Sequence, residues 1–135
     1  MDKEWRQMLM TAANQPGSFT DYIGGRITQV EDGVAESEVE ATEHHINPIG
    51  SVHGGVLVTV MDHTAGTASA TVSPPGATVN CDVHFLAPAK AGKLTCRAEV
   101  LRAGKRLNVI RAWIKDAQGT VVAEGTYTFS HPVSM

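Results

Sequence analysis

Three things this 135-residue chain lacks narrow its reading before any motif is considered. No window approaches the ~18 apolar residues of a membrane-spanning helix, so no membrane partner is expected. Cysteine is scarce: Cys81 and Cys96 are the only two, each inside a strand-like run, which is too few for a disulfide framework. Both read as reduced core residues. There is no long basic run and the formal net charge is -3, so nothing points to broad nucleic-acid binding. The opening residues carry Asp2 and Glu4 and no unbroken apolar stretch, unlike a secretory signal, and the cytoplasm is the expected location. Neither an internal repeat nor a linker interrupts the chain.

What is present is the balance of a globular protein, 42% hydrophobic and 19% charged residues. A chain of this length forms one domain, spanning 1–135, and buries about two thirds of the surface that its unfolded form exposes.

The periodicity predicts a short helix over 2–14, with Trp5, Met8, Leu9 and Ala12 on one face, Asp2 as cap and Pro16-Gly17 beyond its end. Strands are predicted over 26–32 and 34–42, joined at Asp32-Gly33, a strong hairpin signal. In the second, Glu36, Glu38 and Glu40 alternate with Ser37, Val39 and Ala41, which puts the carboxylates on one wet face.

A polar loop then leads into an apolar segment whose length decides for a long helix over 54–70. From Ala77 to Phe85 apolar and polar residues alternate, predicting a strand with one buried face. Three more strands follow, over 93–102, 106–116 and 120–130. Their connections are too short for crossover helices, so the sheet is expected to be antiparallel. The fold class is therefore α+β: one central helix wrapped by an antiparallel sheet of about six strands, with a short N-terminal helix.

Asp62 sits near the middle of the most apolar helix. Without a partner, a carboxylate there forfeits much of its solvation energy. A basic residue or backbone amides could repay that cost and leave Asp62 structural. Alternatively, a partly desolvated carboxylate in a cleft serves as general base or nucleophile. Directly before the helix stand His53, Gly54 and Gly55; bare amides at a helix start suit an oxygen gaining negative charge.

Gly54 and Asp62 are eight positions apart, about 12 Å along a helix, too far to act on one carbonyl carbon. One chain cannot complete such a site. Two copies about a two-fold axis, helices antiparallel, can bring Asp62 of one to Gly54 of the other.

The run Asn47-Pro-Ile-Gly-Ser-Val-His53-Gly54-Gly55 followed by Asp62, with Pro75-Gly76-Ala77-Thr78-Val79 and Ala87-Pro88-Ala89-Lys90-Ala91-Gly92, resembles the phenylacetic-acid-degradation (PaaI-like) branch of hot-dog thioesterases. The resemblance is specific over about 44–92 and rests on element order elsewhere. It implies a hot-dog fold and hydrolysis of acyl-CoA to carboxylate and CoA. CoA would be part of the substrate, with no further cofactor and no metal, in a homodimer at least and by expectation a homotetramer.

Residue by residue, the resemblance implies that Asn47 helps position the thioester, the Gly54 amide polarises its carbonyl, and Asp62 of the neighbouring chain activates water or attacks directly. Thr78 falls where relatives place a hydroxyl that holds the water. His53 matches the motif histidine, with orientation of the loop as its expected part, and Gly55 extends the substrate-binding turn. Gly66 stands where some relatives carry a hydroxyl.

Coenzyme A is polyanionic, so cations are expected at the cleft mouth. Arg102, Lys105 and Arg106 around one hairpin, and Lys90 with Lys93 near another, are the candidates, although basic hairpins also serve solubility.

Three other readings stand beside this one. His44, His45, His53, Asp62 and His63 lie close in sequence, but no HxxxH or CxxC spacing appears and His63 points about 100° away from Asp62. A hot-dog enoyl-CoA hydratase or dehydratase resembles Asp-x-Asn-Pro followed by a histidine, and here His45 occupies the acid's place. A non-catalytic acyl-CoA-binding protein is the third alternative.

Overall fold

The computed structural model describes residues 1–133. Its elements run α1 (Lys3–Ala13), α2 (Phe19–Tyr22), β1 (Gly25–Glu31), β2 (Val34–Ala41), a 3₁₀ turn (Glu43–His45), α3 (Gly54–Ser69), β3 (Ala77–Phe85), β4 (Gly92–Ala103), β5 (Leu107–Lys115) and β6 (Val121–Ser130). The six strands form one sheet in the order β1-β2-β4-β5-β6-β3, every neighbouring pair antiparallel. Chain order breaks twice: α3 carries the chain over the inner face from β2 to the far edge, where β3 joins β6, and the segment after β3 returns it to β4 beside β2. Register shifts in four of the five pairings curve the sheet around that helix, giving the hot-dog arrangement.

Alternation explains the core. Val39, Leu94, Cys96, Ile110, Ile114 and Tyr127 point inward onto Leu57, Val60, Met61, Ala65 and Ala68 of α3, all buried. Each wholly buried side chain of the size of Met61 or Leu94 contributes about 1.5–3 kcal/mol. Alanines at 35, 98 and 112 let the helix approach closely. The buried hydroxyls are satisfied: Thr64 donates to the Val60 carbonyl at 2.6 Å, so Ser37 must donate to Thr64, also at 2.6 Å. Burial pushes the neighbouring Cys96 thiol up to about 12, which keeps it a protonated core residue.

Two expectations fail on packing. Met8 is 60% exposed, because α1 settles with Trp5, Leu9 and Ala13 toward β1 and the end of α3, a face turned away from Met8. The strand over 77–85 forms, but its apolar face is not buried: Val79 is 57% and Phe85 55% exposed, and Cys81 is exposed rather than core. β3 is an edge strand with β6 on one side only. The 3₁₀ turn and the four-residue α2 carried no periodic signal long enough to predict.

Candidate active site

Asp62 is half-buried on α3, and its cost is met by a hydroxyl: Thr78 Oγ1 donates to Asp62 Oδ1 at 2.7 Å. Among the described residues no ion pair involves Asp62.

A backbone irregularity brings Thr78 there. Residues paired directly across an antiparallel ladder share a face. Thr78 pairs with Phe129, Cys81 with Tyr127 and Phe85 with Ala123, all three partners being buried inner-face residues. Strict alternation would put Thr78 and Cys81 on opposite faces. The register shift between Thr78 and Asn80 inserts Val79 as an extra residue and turns Thr78 inward. The strand is pinned just before this point, since a Cβ at Gly76 would run into the Ser130 carbonyl.

Two titratable neighbours are shifted from their ordinary values. Burial pushes the Tyr127 phenol above its ordinary value, helped by nearby negative charge, while its hydroxyl donates to the Val58 carbonyl at 2.9 Å. Burial lowers His63 despite its bond to the Ala13 carbonyl at 2.9 Å and the adjacent Asp62.

At the start of α3, His53 is the N-cap and its Nδ1 accepts the Gly55 amide at 3.1 Å. The Gly55 N–H is thereby engaged, whereas among the described residues the Gly54 N–H finds no acceptor. A Cβ at Gly54 would lie 3.2 Å from the tip of the Phe85 ring, so the missing side chain lets that ring sit close against the helix start. Asn47 shapes the preceding loop: its Oδ1 accepts the Ile49 and Ser51 amides at 3.1 Å each. Two donors on one atom fix the orientation of the side-chain amide and leave its NH₂ as the free donor.

These features do not converge in one protomer. Asn47 and Gly54 line a cleft of about 400 Å³ with Leu57, Phe85 and Leu86. Asp62 and Thr78 line another, of about 430 Å³, between α3, α1 and the start of β3. Neither contains both Gly54 and Asp62.

The expected cations also divide. Arg102, Lys105 and Arg106 edge a hollow of about 310 Å³ at the β4–β5 hairpin. The Arg106 carbonyl accepts from His131, directly after Ser130, which pairs with Ala77; this hairpin is thus on the Asp62 side. Lys90 is exposed and follows Ala89, whose carbonyl holds Val52 beside the Gly54 cleft. Lys93 is paired with Glu38 at 3.1 Å.

The His45 ring is also committed to backbone. His45 Nδ1 accepts the Thr42 amide at 2.9 Å, so its Nε2 donates to the Ile23 carbonyl at 2.6 Å. Among the described residues no three of His, Cys, Asp and Glu are grouped to hold a metal ion. The sequence signalled neither Phe85 packed on Gly54 nor the Val79 bulge, because both depend on which strand lies alongside.

Residues 49–123, more than half of the chain, match the thioesterase superfamily. Human acyl-coenzyme A thioesterase 13 is 32% identical over 114 residues, covering 80% of this chain and 81% of its own length. The 1,4-dihydroxy-2-naphthoyl-CoA hydrolase of Listeria monocytogenes is 35% identical over 99 residues, covering 71% of this chain and 80% of that protein. The E. coli PaaI protein, from the phenylacetic acid degradation operon, shares the fold with a TM-score of 0.88 at 23% identity, over 97% of this chain and 96% of its own. The matched stretch takes in Gly54, Asp62 and Thr78 together, and this hot-dog-fold chain belongs to the thioesterase superfamily.

Proposed function

We propose that the chain hydrolyses acyl-CoA thioesters to a free carboxylate and CoA, in sites built across a homodimer. Asp62 of one protomer acts as general base or nucleophile, and the Gly54 amide of the other polarises the thioester carbonyl. The observation that carries this reading is the separation of the two half-sites: a free helix-start amide in one cleft, a hydroxyl-held carboxylate in another.

The open edge of β3 supports the pairing. It presents unpaired backbone groups together with exposed Val79, Phe85 and Leu86. An uncovered apolar edge of this kind is a template for a second strand, and the same strand of a second copy supplies it with two-fold symmetry. Phe85, packed on Gly54, and Thr78, bonded to Asp62, both lie on this strand, so pairing there draws the two kinds of half-site toward one seam.

In the reaction the water oxygen, or Asp62 Oδ2 in a covalent route, adds to the thioester carbon. Negative charge gathers on the carbonyl oxygen facing the Gly54 amide and the positive end of the α3 dipole. The C–S bond then breaks and sulfur leaves as the CoA thiolate, which takes the proton removed from water; in the covalent route the mixed anhydride left on Asp62 is opened by water in a second step, which frees the carboxylate and supplies that proton. Thr78 holds the carboxylate in line, and the Asn47 NH₂ donates to the thioester. His53 keeps the turn shaped through Gly55, and Lys90, Arg102, Lys105 and Arg106 meet the phosphates of CoA. The hydratase alternative loses ground, because both ring nitrogens of His45 are spent on backbone.

Asp62→Asn should lower kcat by at least about 10²-fold. Steady-state hydrolysis of a CoA-ester panel checks this, and a drop of less than about tenfold removes Asp62 from the base or nucleophile role. A single turnover in ¹⁸O water then tests for the covalent route, since label found in the Asp62 carboxylate requires covalent attack.

A further inference from the structure

The Asp62 cleft continues beyond the carboxylate. One turn along α3 the side chain is missing at Gly66, and two turns along it is the methyl of Ala70, so an open path runs between α3 and α1. Leu9, Ala12 and Ala13 form the α1 wall of this path, and Phe129 closes its floor. The wall is fixed: Trp5 Nε1 donates to the Ala70 carbonyl at 3.0 Å, His63 holds the Ala13 carbonyl, and Asn14 exchanges bonds of 2.8 and 2.9 Å with the Ile27 backbone.

The chemistry of the lining selects its occupant. Among the described residues Asp62 is the one charged side chain that lines the cleft, while Arg102, Lys105 and Arg106 edge a separate hollow. The phosphates of CoA would meet repulsion here, and its amide-bearing arm would find no donors or acceptors on Leu9, Ala12 or Ala13. An alkyl or aryl tail needs neither, and gains by leaving water.

We infer that the acyl tail of the substrate lies in the Asp62 cleft beneath α1, that this tail is uncharged and apolar, and that Leu9 and Ala12 set the length accepted. The inference rests on the hydrolase reading above. It makes α1, outside the segment that matches the superfamily, the specificity element of this chain.

The test is a chain-length profile from acetyl-CoA to dodecanoyl-CoA, with succinyl-CoA beside butanoyl-CoA as a pair of similar length. Ala12→Phe, on the exposed side of α1, should lower the dodecanoyl-to-acetyl ratio of kcat/KM by about tenfold, and Leu9→Ala should raise it about threefold. Butanoyl-CoA should exceed succinyl-CoA by at least about tenfold. Two folded variants whose ratios stay at the wild-type value would overturn the inference. So would an Ala12→Phe protein whose KM rises equally for acetyl-CoA and dodecanoyl-CoA, since that places the CoA arm in the cleft. Succinyl-CoA turned over as fast as butanoyl-CoA contradicts the uncharged tail. A wild-type protein inactive on the whole panel sinks the hydrolase reading as well, whereas activity with a flat profile sinks only the role of α1.

Discussion

The two edges of the sheet are treated in opposite ways. At β1 the edge is covered: Ile27 and Val30 are each 1% exposed beneath α1, and the Asn14 side chain takes both the N–H and the C=O of Ile27 as a strand would. At β3 nothing among the described residues covers the edge, and Val79, Phe85 and Leu86 stay exposed. Proteins ordinarily blunt an edge strand with charge, proline or a covering element. The blocked edge has no room for a second strand, and the open one is where the proposed homodimer would form.

The largest expected effect comes from blocking the open edge. Cys81→Arg puts a long cation at the middle of β3 and should leave a folded protomer with half the native mass in solution. Its activity should fall by at least about 100-fold, because each site loses a partner's amide. Sedimentation and hydrolysis assays read the two effects together, and a fully active monomer would show that the open edge has no part in the site.

Unblocking the covered edge should cost less. Asn14→Ala frees the Ile27 N–H and C=O in a part-buried setting, and urea denaturation should show a loss of about 1–3 kcal/mol.

The smallest effect concerns the tie between that cover and α3. Burial lowers His63 below 6.5, its ordinary value, so the unfolded chain takes up a proton that the folded chain refuses. Stability should therefore fall as pH drops below 6.5, and His63→Gln should flatten that part of the curve. An unchanged slope would show that His63 contributes nothing to it.

Most of the fold was legible from period alone. Asp2 caps α1, Asp32-Gly33 turns the first hairpin, Glu36, Glu38 and Glu40 stay on the outer face over buried Val39, and α3 begins at Gly54. What stayed hidden depends on neighbours. Alternation at 77–85 says that one face is apolar, but not whether anything lies over it, and Cys81 was misplaced for that reason. Strict alternation also assigns Thr78 to the outer face; only its ladder partner Phe129 reveals the bulge that turns it toward Asp62. The distance between Gly54 and Asp62 was in the sequence from the start, because helical rise converts eight positions into length.

Subunit complementation decides whether each site takes its acid and its amide from different protomers. Asp62→Asn removes the acid. Gly54→Pro removes the amide at a first helical position that tolerates proline, with His53 at φ -59° and ψ 134° already suited to precede one. Each protein alone should be nearly inactive. Co-expressed at equal levels, half of the dimers are mixed and each mixed dimer has one intact site of two, so the shared-site account predicts recovery to about a quarter of wild-type activity. A mixture no more active than the separate variants, with mixed dimers demonstrated by mass, would place acid and amide of one site in the same chain and contradict the account.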